Sequence, residues 1–279
     1  MRWQKGRRSQ NLEDRRGRRP GRKVAGGGIG MLVMVVVALL FGIDPRTVLQ
    51  IGGQLGGSAS APATQVSDQN SELVDFVKVV LADTEDTWKE IFSEANQVYR
   101  EPKLVLFSGS VQSACGHAQS AMSPFYCPGD QKLYIDLSFY QELKDKFGAP
   151  GDFAQAYVIA HEVGHHVQTL LGISAQVRKA QAQSSQTEGN AIQVSMELQA
   201  DCFSGVWANH AHRARNLLEE GDIEEGLVAA AAIGDDTIQK RSRGYVVPES
   251  FTHGSAKQRQ KWFSIGLKTG DVSQCDTFS

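Results

Sequence analysis

His161-Glu162-Val163-Gly164-His165-His166-Val167-Gln168 dictates more of the fold than any other stretch of this chain. Two histidines four residues apart act together only on a helix, where that spacing stacks the imidazoles on one face within reach of one metal ion. Glu162, next to the first of them, is then placed to take a proton from a metal-bound water. The flanking sequence supplies the helix. Asp152 reads as its N-cap, Phe153 to Leu171 as its body and Gly172 as its stop. Ala156, Tyr157, Ala160, Val163, Val167 and Leu170 form an apolar stripe at helical spacing. Glycine in a helix interior costs about 1 kcal/mol relative to alanine, so Gly164 predicts a close-packed neighbour or a metal beside it. His166 is rotated off the metal face and reads as a supporting residue. The plain alternative is an amphipathic helix with two solvated histidines, and the downstream sequence argues against it.

A zinc ion that hydrolyses a bond needs three protein ligands and one open position. The segment from Asn190, a predicted cap, to Ala208 is again helical, with Glu197 and Asp201 four apart on one face. Glu197 fits the third ligand, and Asp201 fits the carboxylate that orients a ligating histidine through its other nitrogen. Met196, Leu198, Phe203, Val206 and Trp207 make this helix apolar on most sides, and buried carboxylates require partners, so a merely solvated acidic face is the poorer reading. Small residues at Ala200, Ser204 and Gly205 would let it approach the first helix closely.

Upstream, residues 1–23 hold ten Lys or Arg against Glu13 and Asp14, a pattern that alone would suggest a nucleic-acid-binding arm. Residues 24–43 then run for twenty positions without a charge, enough to span a bilayer as a helix. Basic residues ahead of a single span predict an N-terminus in the cytoplasm and the remainder across the membrane. Ala59-Ser60-Ala61 would suit cleavage of a signal peptide but lies too far beyond the apolar stretch, so an uncleaved anchor is expected. Residues 24–279 carry 19 basic and 29 acidic residues, a net charge of −10, which argues against nucleic acid as the domain's ligand. The organisation expected is a basic cytoplasmic tail over 1–23, a transmembrane anchor over 24–43, a flexible linker over 44–70 and a functional domain over 71–279.

All four cysteines follow the apolar stretch, and an even count in an exported domain predicts two disulfides. Cys115 and Cys127 flank a short Gly- and Ser-rich segment and pair first, leaving Cys202 with Cys275. No Cys-x-x-Cys favours a cysteine zinc site instead. A helix is expected from Ser71 to about Tyr99 with a break near Asp83-Thr84, and strands at Leu104–Phe107 and Lys132–Leu137. The second strand, just ahead of the metal helix, could bind an extended peptide along its edge, beneath a loop carrying Pro124-Phe125-Tyr126. Asp222–Glu225 and Ser255 with Gln258 read as capping boxes. His253 and Arg259 are the two candidates for stabilising negative charge on a substrate carbonyl, while His117 reads as a solvated loop residue.

His161-Glu-Val-Gly-His165-His-Val-Gln168, Glu197-Leu-Gln-Ala-Asp-Cys202, Pro124-Phe-Tyr-Cys-Pro128 and Phe251-Thr-His-Gly254 together resemble the bacterial neutral zinc metallopeptidases, a family of single-span inner-membrane proteins. The Glu-x-x-Ala-Asp element is also similar to that of CAAX-prenyl-protease-like membrane peptidases. The resemblance implies an α+β, zincin-like domain, mainly helical with a small mixed sheet, preceded by one transmembrane helix. It also implies His161, His165 and Glu197 as ligands to one catalytic zinc, with Glu162 as general base. The expected activity is hydrolysis of peptide bonds in a peptide or protein substrate, at the extracytoplasmic face of the inner membrane. The competing classes are a zinc-stabilised interaction or chaperone-like module that cuts nothing, and a nucleic-acid-binding membrane protein using its tail.

Overall fold

Leu104–Phe107 and Leu133–Ile135 are apolar runs buried on both faces, the signature of strands at the centre of a partly parallel sheet. The computed structural model, which describes residues 1–17, 68–119 and 123–279, places them so. Its strands are β1 (Leu12–Asp14), β2 (Lys103–Phe107), β3 (Ser110–Ser113), β4 (Gly116–Gln119), β5 (Phe125–Cys127) and β6 (Lys132–Asp136). Four form one sheet in the order β1-β2-β6-β5, and β3 pairs with β4 as a separate hairpin. β1 and β6 flank β2 in parallel, while β5 runs antiparallel to β6. The strand before the metal helix is therefore internal, and the edge expected there belongs to β5. The small mixed sheet follows the expected fold class.

The helices are α1 (Asp68–Glu94), α2 (Ser138–Asp145), α3 (Asp152–Leu170), α4 (Ile173–Gln181), α5 (Gln186–Arg215), α6 (Asp222–Ala232), α7 (Asp235–Arg243) and α8 (Ala256–Thr269). α1 runs unbroken through Asp83-Thr84. Asp83 is instead a tertiary anchor, accepting from Trp207 Nε1 at 2.8 Å and from Arg215 Nε at 2.5 Å. The expected anchor over 24–43 and linker residues 44–67 lie outside the described residues, and no helix among the described residues is long and apolar enough to cross a membrane.

α3 is buried nearly all round rather than along one stripe, as a central helix must be. It packs on α5 where a Cβ on Gly164 would lie 3.0 Å from the Ala200 carbonyl oxygen, the close neighbour its glycine predicts. Gly205 serves a different contact. A Cβ there would lie 2.2 Å from the Phe263 carbonyl oxygen, so α5 touches α8 backbone to backbone.

Three predicted caps fall elsewhere. α3 is capped by Gly151, and the Phe153 amide donates to Glu225 of α6 at 3.0 Å. Asp152 instead lies beside Asp222, and both accept from the Met1 ammonium, at 2.9 and 3.3 Å. α5 begins at a Ser185–Glu188 capping box, ahead of Asn190. Gly221 caps α6, with the Asp222 carboxylate accepting from the Glu219 amide. The Ser255–Gln258 capping box opens α8 as expected.

Residues Met1–Gly17 do not form a tail apart from the domain. Met1 and Trp3 are buried, and β1 completes the sheet beside β2. The disulfides join Cys115 to Cys127 and Cys202 to Cys275, the pairing read from the sequence.

Candidate metal centre and its cleft

Three side chains from two helices meet at one point. His161 and His165 face the same way from α3, and Glu197 reaches them from α5. Glu197 Oε2 lies 3.2 Å from His161 Nε2 and 3.3 Å from His165 Nε2. Two ligands about 2.05 Å from a tetrahedral zinc ion stand about 3.3 Å apart. The two separations are those of a zinc site, and the donors are the imidazole nitrogens and carboxylate oxygen that zinc takes.

Each donor is held from behind. His161 Nδ1 donates to Asp201 Oδ1 at 2.8 Å, leaving Nε2 free to face Glu197. His165 Nδ1 donates to Gln168 Oε1 at 2.8 Å, and Gln168 is fixed in turn by donating to the Met196 carbonyl and to Gln199. Gln193 Nε2 donates to Glu197 Oε1 at 2.8 Å, which leaves Oε2 toward the histidines. Asp201 is the hub. It accepts also from Tyr157 Oη at 2.5 Å and from Arg259 Nε and a terminal guanidinium nitrogen at 2.8 Å each.

Arg259 was one of the two candidates for meeting substrate charge. Its guanidinium is almost fully buried and donates to Asp201, to Tyr157 and to the Ile233 carbonyl. Those bonds make it a support for Asp201 rather than a donor to a substrate carbonyl. His253 differs: its side chain is half exposed and lines the same cleft as Glu162 and the three donors. Asp235 holds the turn that carries it, accepting from the amides of Thr252, His253 and Gly254 at 2.7, 2.6 and 3.0 Å. His253 Nδ1 stands 3.4 Å from the other Asp235 oxygen.

The cleft has a volume of about 340 Å³. Ser123, Pro124, Phe125 and Tyr126 form one wall, so the segment between the first two cysteines does border the site. Tyr126 Oη donates to His166 Nδ1 at 3.1 Å, and His166 Nε2 donates to the Arg100 carbonyl at 2.6 Å. His166 is thus the supporting residue its position predicts, tying α3 to that wall. His117 is exposed, as expected, but lies on β4 rather than in a loop.

The electrostatics favour a cation. Burial works against a charged His161, yet the Asp201 and Glu197 carboxylates lift it to about 9. Burial likewise opposes charge on His165, and Glu197 overcomes it. Burial would raise Glu197, but the His165 and His161 imidazoles hold it well below the usual carboxylate range. Asp201, against the same penalty, is held at about 2 chiefly by Arg259. Glu162 is the exception. Burial pushes it up, and among the described residues it carries no hydrogen bond or ion pair, so its carboxylate remains free to take up a proton.

Tyr157, Gln168, Gln193 and Asp235 were not assigned roles from the sequence. Gln168 and Gln193 sit three and four positions from the donors they hold, a helical spacing that could have revealed them, whereas Tyr157 bonds Asp201, 44 residues on. Asp235 lies eighteen residues before His253, with no local signal.

The family model described as "Putative neutral zinc metallopeptidase" matches residues 1–278. The chain is 50% identical over 287 residues to the uncharacterized protein YpfJ of Escherichia coli K12, covering 100% of this chain and 99% of the relative. It is 42% identical over 254 residues to the uncharacterized protein Rv2575 of Mycobacterium tuberculosis, covering 87% of this chain and 85% of the relative. No solved structure matches the chain.

Proposed function

The chain belongs to the neutral zinc metallopeptidase family, and from that membership we propose that it hydrolyses peptide bonds at the centre just described. The observation that carries this reading is the placing of Glu197 Oε2 at 3.2 and 3.3 Å from the two Nε2 atoms, on the wall of an open cleft that also holds Glu162. His161, His165 and Glu197 would hold one zinc ion, which supplies Lewis acidity toward a substrate carbonyl and an attacking water.

The chain's own residues do the rest. Glu162, its pKa raised by burial, is the general base. It takes the proton released as water attacks and passes it to the leaving amine. His253, braced by Asp235 and open to the cleft, donates to the carbonyl oxygen as charge develops there. Asp201, clamped by Tyr157 and Arg259, keeps His161 in the tautomer that offers Nε2. β5 presents a sheet edge beside the cleft, where an extended substrate can add main-chain hydrogen bonds. Two disulfides support placing the domain outside the cytoplasm, in an oxidising compartment. The membrane-anchor reading of residues 24–43 rests on their composition alone.

The test is metal content beside hydrolysis. The purified parent protein should bind one zinc per chain and cut an unstructured protein such as casein, with a chelator abolishing both. His165→Ala and Glu197→Ala should lose the metal. Full metal content in either variant would remove that residue from the ligand set.

A further inference from the structure

The first seventeen residues are built into the zinc domain. Trp3 packs edge-on against Phe76 of α1, with ring centroids 5.4 Å apart. Gly6 lies so close to the same helix that a Cβ there would stand 2.4 Å from Val79 Cγ1. The Ser9 amide donates to the Lys78 carbonyl, and the buried Ser9 hydroxyl donates to Glu85. Asn11 Nδ2 donates to Glu85 at 2.9 Å and to Glu101 at 2.5 Å, and its carbonyl accepts from the Leu104 amide. The chain then pairs with β2 in register, Leu12 with Leu104 and Asp14 with Leu106. The Arg15 amide closes the strand on the Leu106 carbonyl. Without this segment β2, apolar and buried over Leu104 to Phe107, would become an open edge, the arrangement natural sheets avoid.

The same contacts change the meaning of the basic charges. A cytoplasmic N-terminus was expected because positive residues before a span resist translocation. Arg7 is paired with Glu85 and Asp86, Arg8 with Asp75, Arg15 with Glu13 and Arg16 with Asp14. With Arg2 3.6 Å from Glu219, five of the ten charges are matched to carboxylates, three of those carboxylates on α1 of the zinc domain itself. A strand cannot pair in a sheet on the far side of a bilayer about 30 Å thick.

We propose that residues 1–17 and the zinc domain occupy one compartment, so that the apolar stretch at 24–43 does not hold them on opposite sides of a membrane. The surface formed by α1 and the β2 edge is the docking site, and its occupant is this chain's own N-terminal segment.

The experiment uses the full chain in cells, with a single cysteine at the exposed positions Lys5→Cys or Lys268→Cys and a membrane-impermeant maleimide. The four native cysteines are in disulfides and do not react. Both positions should label before permeabilisation. Labelling of both only afterwards would keep the shared compartment and move it to the cytoplasm. Labelling of Lys268→Cys from outside while Lys5→Cys needs permeabilisation would overturn the proposal. Docking itself is read by Trp3→Ala in the purified full chain, which should lower the melting temperature by at least about 5 °C. An unchanged melting temperature would also overturn it.

Discussion

The Asp201 carboxylate lies 2.8 Å from His161 Nδ1, while Glu197 lies 3.2 Å from Nε2 of the same ring. One imidazole is therefore oriented by a buried acid on one nitrogen and presented to the ligand position by the other. Removing that acid should harm the site in two separable ways.

Asp201→Asn keeps the shape and removes the charge. His161 loses the partner that fixes its tautomer, and zinc affinity should fall about 10- to 100-fold. Arg259 is left buried with a neutral partner, a loss on the order of 3 kcal/mol in folding stability. Competition with a fluorescent chelator reads the first effect and thermal unfolding the second. An affinity within twofold of the parent would remove Asp201 from its role behind His161.

His253→Ala should retain zinc and lose about 10²- to 10³-fold in kcat, as expected when a donor to a developing oxyanion is removed. Asp235→Asn should show a smaller fall in the same direction, because the turn carrying His253 loses the full charge on which three amides converge. Steady-state kinetics on a fluorogenic peptide separates kcat from KM. A change confined to KM would place His253 in substrate binding instead.

His166 predicts a pH dependence of stability. Burial lowers its pKa to about 4, and in the neutral form it accepts from Tyr126 and donates to Arg100. The unfolded chain protonates near the ordinary value of about 6.5, so it binds more protons than the folded chain between those limits. The contribution is whole above about pH 6.5 and is lost as pH falls toward 4, at up to about 1.4 kcal/mol per pH unit. Urea denaturation at pH 7 and pH 5 measures it. His166→Gln, which does not titrate, should show a shallower fall, and an equal fall in both proteins would assign the dependence to other groups.

The Cys202–Cys275 disulfide ties the chain's last segment to α5. It closes a 73-residue separation, worth about 4 kcal/mol through the unfolded state. The Cys275 carbonyl also accepts from Gln199 at 3.0 Å, and Gln199 accepts from Gln168 behind His165. Replacing both cysteines by alanine should lower the unfolding temperature and weaken zinc binding together. A large loss of stability with unchanged zinc affinity would confine the bridge to folding.

How much of this was readable beforehand follows from the range of each signal. The ligand histidines share one helical turn, and Asp201 stands one turn beyond Glu197. Their spacing therefore carried the geometry, and the residue types of a buried helix carried the rest. Gly164 foretold the close approach to Ala200 for the same local reason. The caps of α3 and α6 failed because Glu225 of a distant helix receives the Phe153 amide, a tertiary partner that no short window contains. β1 was missed because Leu12–Asp14 has no alternation of its own and becomes a strand only beside β2. Arg259 read as a free cation because its partners are 58 and 102 residues away.

Glu162→Gln tests the central claim most directly, with zinc content and peptide hydrolysis measured on the same sample. The substitution keeps the size of a side chain that touches the reaction but does not bind the metal, so the variant should hold one zinc per chain. Its hydrolysis should fall at least about 10²-fold, the contribution of a positioned general base. A zinc-loaded variant that cuts casein as fast as the parent would contradict the account.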